Sequence, residues 1–157
     1  MKTNPKIIEA LQGLYFDERV AENQYLSHYA TLRNMGLPKL AAQKLEQAGD
    51  ESNHALQLAE RLALFGAPAL AYSGKIETAV GEEMVCEDML SAELPLEMDA
   101  VRKYNAAIVL CVSLNDNDTR DLLAGILKDE TEHVHEIETA QNLIEMIGAD
   151  NFAQAMM

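Results

Sequence analysis

The sequence predicts an all-α fold: four long helices in one bundle, a long crossover between the second and third, and a short fifth helix at the end. Three observations predict it. Apolar residues recur at spacings of three, four and seven over stretches of about 30 residues, and no stretch alternates with the period of two that a strand needs. Helix stop signals divide the chain at those lengths.

Asn4-Pro5 opens the first helix, with a side chain able to cap and a proline at the first helical position, where its missing N–H costs nothing. That helix should run to about Met35, where Gly36 ends it. Leu37-Pro38 forces a short turn into a second helix from Pro38 to about Phe65. Long helices joined so tightly must be antiparallel neighbours. From Gly66 to Gly81 the helical pattern lapses around Pro68 and Gly74, a connection of about 15 residues, which is long for a compact domain. A crossover running the length of the bundle accounts for it and lets the third helix lie parallel to the second. The third helix is expected from Glu82 to Leu114, a turn at Asn115 to Asp118, and a fourth helix to about Ile147. Gly148 closes that helix, and Asp150 can cap a short fifth one over Asn151 to Met157. Residues 1–157 fit one domain, long enough to bury a real core without staples.

The formal charge of -14, from 12 basic and 26 acidic residues, argues against binding a phosphate backbone and favours cations. No nucleic acid is therefore expected as a partner. Cys86 and Cys111 stand alone, with no Cys-x-x-Cys spacing, and read as reduced thiols of a cytoplasmic protein. No apolar segment follows Met1 to Ile7, and no apolar run is long enough to span a bilayer, so neither export nor a membrane is expected.

Chemistry concentrates in two Glu-x-x-His repeats, Glu51 with His54 and Glu130 with His133. Glu and His three apart on a helix project from one face and can approach a common point. On the fourth helix Leu123, Ile126, Leu127, Glu130, Val134 and Ile137 form an apolar stripe, with His133 one turn beyond Glu130. On the second, Leu40, Glu51, His54, Leu58 and Phe65 share a face that Lys44 and Gln47 make less apolar. Each half adds a glutamate inside an apolar stripe: Glu18 among Leu11, Leu14, Ala21, Tyr25 and Leu32, and Glu97 among Leu90, Leu94, Val101, Tyr104 and Ile108. An unpaired buried carboxylate costs several kcal/mol or more, so each must be protonated, paired or bound to metal.

Glutamate fills 17 of the 157 positions, so a single Glu-x-x-His match carries little weight. Glu132 and His135 also match, but Lys128, Glu136 and Thr139 put them on a polar face. Two matches on core-facing stripes, each accompanied by another core glutamate, are much harder to reach by accident. The six side chains Glu18, Glu51, His54, Glu97, Glu130 and His133 read as one site for two metal ions. Four carboxylates balance two divalent cations, and a mixed carboxylate and imidazole set suits iron, manganese or zinc, with an oxygen-rich site favouring a metal that changes valence.

Over essentially the whole chain the sequence resembles bacterioferritin, a ferritin-like family. The resemblance rests on Glu18 followed by Asn23-Gln24-Tyr25, on Asp50-Glu51 with His54, on the Leu-Pro-Leu-Glu97 segment, on Asp129-Glu130 with His133, and on the short helix after Gly148. It implies a ferritin-like bundle that assembles as a homo-oligomeric cage of 24 subunits built from dimers. It also implies oxidation of Fe(II) by oxygen or hydrogen peroxide at two iron ions per subunit, with storage of a ferric mineral. Glu51 and Glu130 would bridge the irons, Glu18 and His54 would complete one, and Glu97 and His133 the other. Tyr25 stands where the family has a tyrosine that can supply an electron, and reads equally as a core aromatic.

Three departures stand out. The family's haem is held by a methionine directly after the second-helix glutamate; here that position is Ser52, a poor axial ligand, so no methionine-ligated haem is expected. Arg19 and Glu22 would also be polar in that pocket and could instead pair across a dimer interface. Pro95, two residues before Glu97, removes a helical hydrogen bond and is expected to bend the third helix mildly. Of the family's histidine and aspartate on the inner cavity wall only Asp50 remains, with Glu46 in place of the histidine, either a solvated acid or an oxygen ligand for iron. Two other readings keep the same ligands: a di-iron or di-manganese peroxidase or catalase, and a haem-free subunit of a mixed shell.

Overall fold

The computed structural model describes residues 3–69 and 86–157. Among them lie five helices and no strand: α1 (Pro5–Asn34), α2 (Pro38–Leu64), α3 (Cys86–Ser113), α4 (Asn117–Ile147) and α5 (Ala149–Ala155). Most of the expected crossover, and the expected start of the third helix at Glu82, lie outside the described residues.

The helix ends follow from local chemistry. The Asn4 side chain accepts from the Lys6 N–H at 3.0 Å, with Pro5 next to it. At the far end of α1, Gly36 takes φ +78°, so that Leu37 N–H donates to Leu32 C=O at 3.0 Å and Gly36 N–H to Arg33 C=O at 3.3 Å. This pair of bonds gives partners to two carbonyls of the last turn, and both leucines are buried together. Gly66, at φ +72°, repeats the arrangement after α2, and Asn115 stands in for glycine after α3 at φ +57°. Asp116 then caps α4 through the Thr119 N–H at 3.1 Å.

One end differs from expectation, and another finds its partners far away in the chain. Helix α5 begins at Ala149 with Gly148 as its cap, so Asp150 sits in the first turn and does not cap. The start of α2 has no side-chain cap, because Leu37 offers none. Instead α5 folds back on it: the Met156 carbonyl accepts from Lys39 N–H at 3.2 Å, and the Ala155 carbonyl from Lys39 Nζ at 3.1 Å. Helix α3 continues unbroken through Pro95, which lies on its exposed side.

Cross-helix pairs give the topology. Between α1 and α3, Asp17 meets Lys103 at 2.8 Å and His28 meets Glu93 at 2.5 Å, so the two run antiparallel. The tight turn makes α1 and α2 antiparallel as well, and α2 and α3 are therefore parallel, as the crossover reading requires. Helices α2 and α4 are antiparallel, with Arg61 Nε donating to Thr119 Oγ1 at 2.8 Å and His54 beside Glu130. Two apolar clusters fill the ends of the bundle. One is built from residues such as Leu32, Leu40, Leu90, Ile137 and Phe152, the other from Ile7, Leu14, Leu62, Tyr104 and Leu123. Most of the buried polar side chains lie in the layer between them, while Arg61 and Thr119 pair at the end where α4 begins.

Candidate metal centre

All six expected ligands reach that middle layer, and each is buried to 5% exposure or less. They form two overlapping groups, Glu18, Glu51, His54 and Glu130, and Glu51, Glu97, Glu130 and His133, with the ligand atoms of each within 4.8 Å of one another. Glu51 and Glu130 belong to both. The two imidazole rings flank them, with centroids 6.4 Å apart.

The ring nitrogens divide the work. His54 Nδ1 points inward at Glu130 Oε1 (3.0 Å), Glu51 Oε2 (3.2 Å) and Glu18 Oε2 (3.5 Å). His133 Nδ1 likewise faces Glu51 Oε1 (3.3 Å) and Glu97 Oε2 (3.7 Å). One N–H cannot serve three acceptors, whereas a cation among them can take the lone pair of Nδ1 and the carboxylate oxygens together. Glu51 Oε1, Glu130 Oε1 and His133 Nδ1 are buried without a hydrogen bond of their own, as groups awaiting a cation would be. On the outer edge, His54 Nε2 faces Asp129 Oδ2 at 3.4 Å and His133 Nε2 faces Asp50 Oδ2 at 3.6 Å. A carboxylate behind the far nitrogen is the usual device for keeping the near one free to ligate.

The charges are strained without a cation. Burial pushes Glu18 up to about 8, only partly offset by His54, and pushes Glu130 to about 8 for the same reasons. Burial opposes charge on both imidazoles, but the carboxylates outweigh it: His133 is raised to about 11 by Glu51 and Glu97, and His54 is raised by Glu130, Glu18 and Glu51. Glu97 is burdened by burial too, yet His133 and Tyr25 hold it below the ordinary value. The layer thus stores protons that a metal ion would displace.

An internal two-fold relation runs through the site. Glu18, Asp50, Glu51 and His54 of the first hairpin correspond to Glu97, Asp129, Glu130 and His133 of the second. Tyr25 and Tyr104 follow Glu18 and Glu97 by the same seven residues. Each phenol crosses over: Tyr25 Oη donates to Glu97, and Tyr104 Oη donates to Glu18. Sequence reasoning placed Tyr104 in the apolar stripe and missed its role as a donor, although the repeated spacing was there to be read. It also missed a second buried network beside Tyr25. Gln24 Nε2 donates to His28 Nε2 (2.6 Å), His28 Nδ1 meets Glu93 (2.5 Å), and Lys44 Nζ bridges Glu93 (2.5 Å) and Gln47 (2.9 Å). The Lys44 ammonium also lies 5.3 Å from the centre of the Tyr25 ring. Lys44 and Gln47, which weakened the apolar reading of the second helix, are thus buried and paired.

Glu46 and Asp50 are exposed and line a cavity of about 340 Å³ with Asp129, Glu132, Glu136 and His133, an acidic mouth on the α2–α4 side of the site. A smaller cavity of about 70 Å³ reaches Glu18, Glu51, Glu97 and Glu130 from the α1–α3 side. Glu132 and His135 are exposed and join neither ligand group. Ser52 is half-buried. Within the chain Arg19 pairs with Glu22 one turn along α1.

Residues 8–147 match the ferritin-like domain family. The chain is 33% identical over 155 residues to a bacterioferritin of Brucella melitensis, covering 98% of this chain and 94% of that protein. It is 33% identical over 159 residues to a bacterial ferritin of Synechocystis, covering 100% and 99%, and 31% identical over 159 residues to a bacterial ferritin of Neisseria meningitidis, covering 100% of both.

Proposed function

The chain belongs to the ferritin-like domain family, and on that premise we propose that it stores iron and oxidises Fe(II) at the buried centre before storing it as ferric mineral. Glu51 and Glu130 bridge two Fe(II) substrate ions, Glu18 and His54 complete one position, and Glu97 and His133 the other. The observation that carries this reading is that Glu51 and Glu130 are shared by two ligand groups and keep buried oxygens without hydrogen-bond partners. Relatives named bacterioferritin and bacterial ferritin support iron as the metal.

Two Fe(II) give up two electrons, which reduce oxygen to hydrogen peroxide, or peroxide to two waters, with two protons taken up in either case. The chain supplies four negative charges to two cations of total charge +4, and its raised carboxyls and imidazoles release protons as iron enters. Asp129 and Asp50 stand behind the outer nitrogens of His54 and His133, at 3.4 and 3.6 Å, and favour a proton there, which leaves Nδ1 of each ring for the metal. Where the oxidant takes more than the two electrons of Fe(II), Tyr25, whose hydroxyl donates to Glu97, gives one further electron together with its phenolic proton, and Glu46 and Asp50, at the acidic mouth, pass iron toward an interior cavity. The protein works in the cytoplasm as a homo-24-mer built from dimers.

Anaerobic Fe(II) titration followed by oxidant, with particle size measured alongside, tests this. Saturation at two irons per chain, then mineral growth in a large particle, is expected; a monomer that binds no metal sinks the reading. Rapid peroxide turnover with no retained mineral would instead mark a peroxidase or catalase, and a second chain type in native mass spectrometry would mark a mixed shell. With Ser52 in the ligand position no methionine-ligated haem is proposed, and a strong Soret band in protein from haem-replete cells would contradict that.

A further inference from the structure

We infer that Tyr104 is a second redox-active phenol of the centre, the two-fold counterpart of Tyr25, and that the two together let the site reduce oxygen fully to water. The inference rests on the ferroxidase reading and adds a residue to it. Tyr104 is fully buried, at 0% exposure, in the apolar cluster of Ile7, Leu14, Leu58 and Leu123. A phenylalanine would fill that volume without a polar atom to satisfy. Instead the hydroxyl reaches across the bundle to Glu18, just as Tyr25 reaches Glu97. A phenol that donates to a ligand carboxylate draws electron density away from the metal, a drawback if binding were its only purpose. The same contact is a ready path for a proton that leaves with an electron.

Reduction of one oxygen molecule to two waters breaks the O–O bond, forms four O–H bonds, and needs four electrons and four protons. Two Fe(II) ions supply two electrons as they become Fe(III). Tyr25 and Tyr104 supply the other two, each losing an electron and its hydroxyl proton to give a neutral phenoxyl radical, the proton passing through the carboxylate that already accepts it. The remaining two protons come from solvent. Two further Fe(II) ions and two protons restore both phenols. With one phenol only three electrons are at hand, so partly reduced oxygen should escape.

The test compares the full-length protein with Y25F, Y104F and the double variant, each loaded with Fe(II), mixed with oxygen and frozen rapidly for electron paramagnetic resonance. Each single variant should keep about half of the tyrosyl radical per chain and release more hydrogen peroxide per oxygen consumed, and the double variant should show no radical. Co(II) titration should still give two ions per chain in every variant. Radical and peroxide yields in Y104F equal to those of the unaltered protein, with all radical lost in Y25F, overturn the inference. Should Y104F not fold, ring-fluorinated tyrosine placed at position 104 alone preserves packing and hydrogen bond. Fluorine splitting in the radical spectrum then supports the inference, and its absence overturns it. Unaltered protein that fails to oxidise Fe(II) defeats the ferroxidase reading and this inference with it, whereas normal oxidation with an indifferent Y104F defeats this inference alone.

Discussion

Among the residues, the sharpest contrast is between two neighbouring glutamates on α4. Glu130 is 1% exposed and shared by both ligand groups, whereas Glu132 faces the acidic mouth. Glu130→Ala should abolish the fast phase of Fe(II) oxidation in stopped flow, and Glu132→Ala should leave it almost intact. Behind the ligands, Asp129→Ala frees the outer nitrogen of His54. Metal affinity should fall by about 10-fold, at the low end for such supports because Asp129 is itself well exposed, as measured by Co(II) titration. The six side chains gathered in the two groups were legible in the sequence because each interrupts or extends an apolar stripe, a property of one helix at a time. The network of Lys44, Glu93, His28 and Gln24 was not legible, since its meaning lies in which helices meet. A lysine in one stripe and a glutamate in another look like two exposed charges until they are 2.5 Å apart. Tyr104 was hidden for the opposite reason: an aromatic ring in an apolar stripe satisfies the pattern fully, and only its hydroxyl departs from it.

At the scale of elements, the helix ends and the pairing of α1 with α2 could be read from Asn4, Gly36 and Pro38, because capping and left-handed turns depend on a few adjacent residues. What caps the start of α2 could not be read, because the partner carbonyl comes from the end of α5, at the other end of the chain. Gly36→Ala forces a Cβ into φ +78° and should cost about 1 kcal/mol in a denaturant titration. The tie between α2 and α3 is stronger. Lys44→Met leaves Glu93 buried against His28 without its ammonium partner, and breaking such a buried pair should cost about 3–5 kcal/mol in the same measurement. Pro95 illustrates tolerance: with its ring on the exposed side, α3 carries it without a break and still delivers Glu97 to the site.

For the whole molecule the stored protons set a pH dependence. In metal-free protein Glu18 and Glu130 titrate near 8 when folded, against an ordinary 4.5, and His133 near 11 against 6.5. Groups raised in this way contribute stability that is complete below the ordinary value and is lost as pH rises through the folded value. Glu97, lowered, acts in the opposite sense and contributes above its ordinary range. The melting temperature of metal-free protein should therefore fall as pH climbs from about 5 to about 9. Metal affinity should rise over the same range, because the ligands must shed protons, and saturating metal should flatten or reverse the slope in calorimetry. Each ligand group also draws on both hairpins: three side chains from the first and one from the second in one group, and one from the first and three from the second in the other. Neither hairpin completes a group by itself, so the free energy of binding an ion there would be shared by the seam between them. Loaded protein should exchange its slowest amides around Glu51 and Glu130 as a single cooperative unit, and chelation should let the two hairpins open with separate exchange rates.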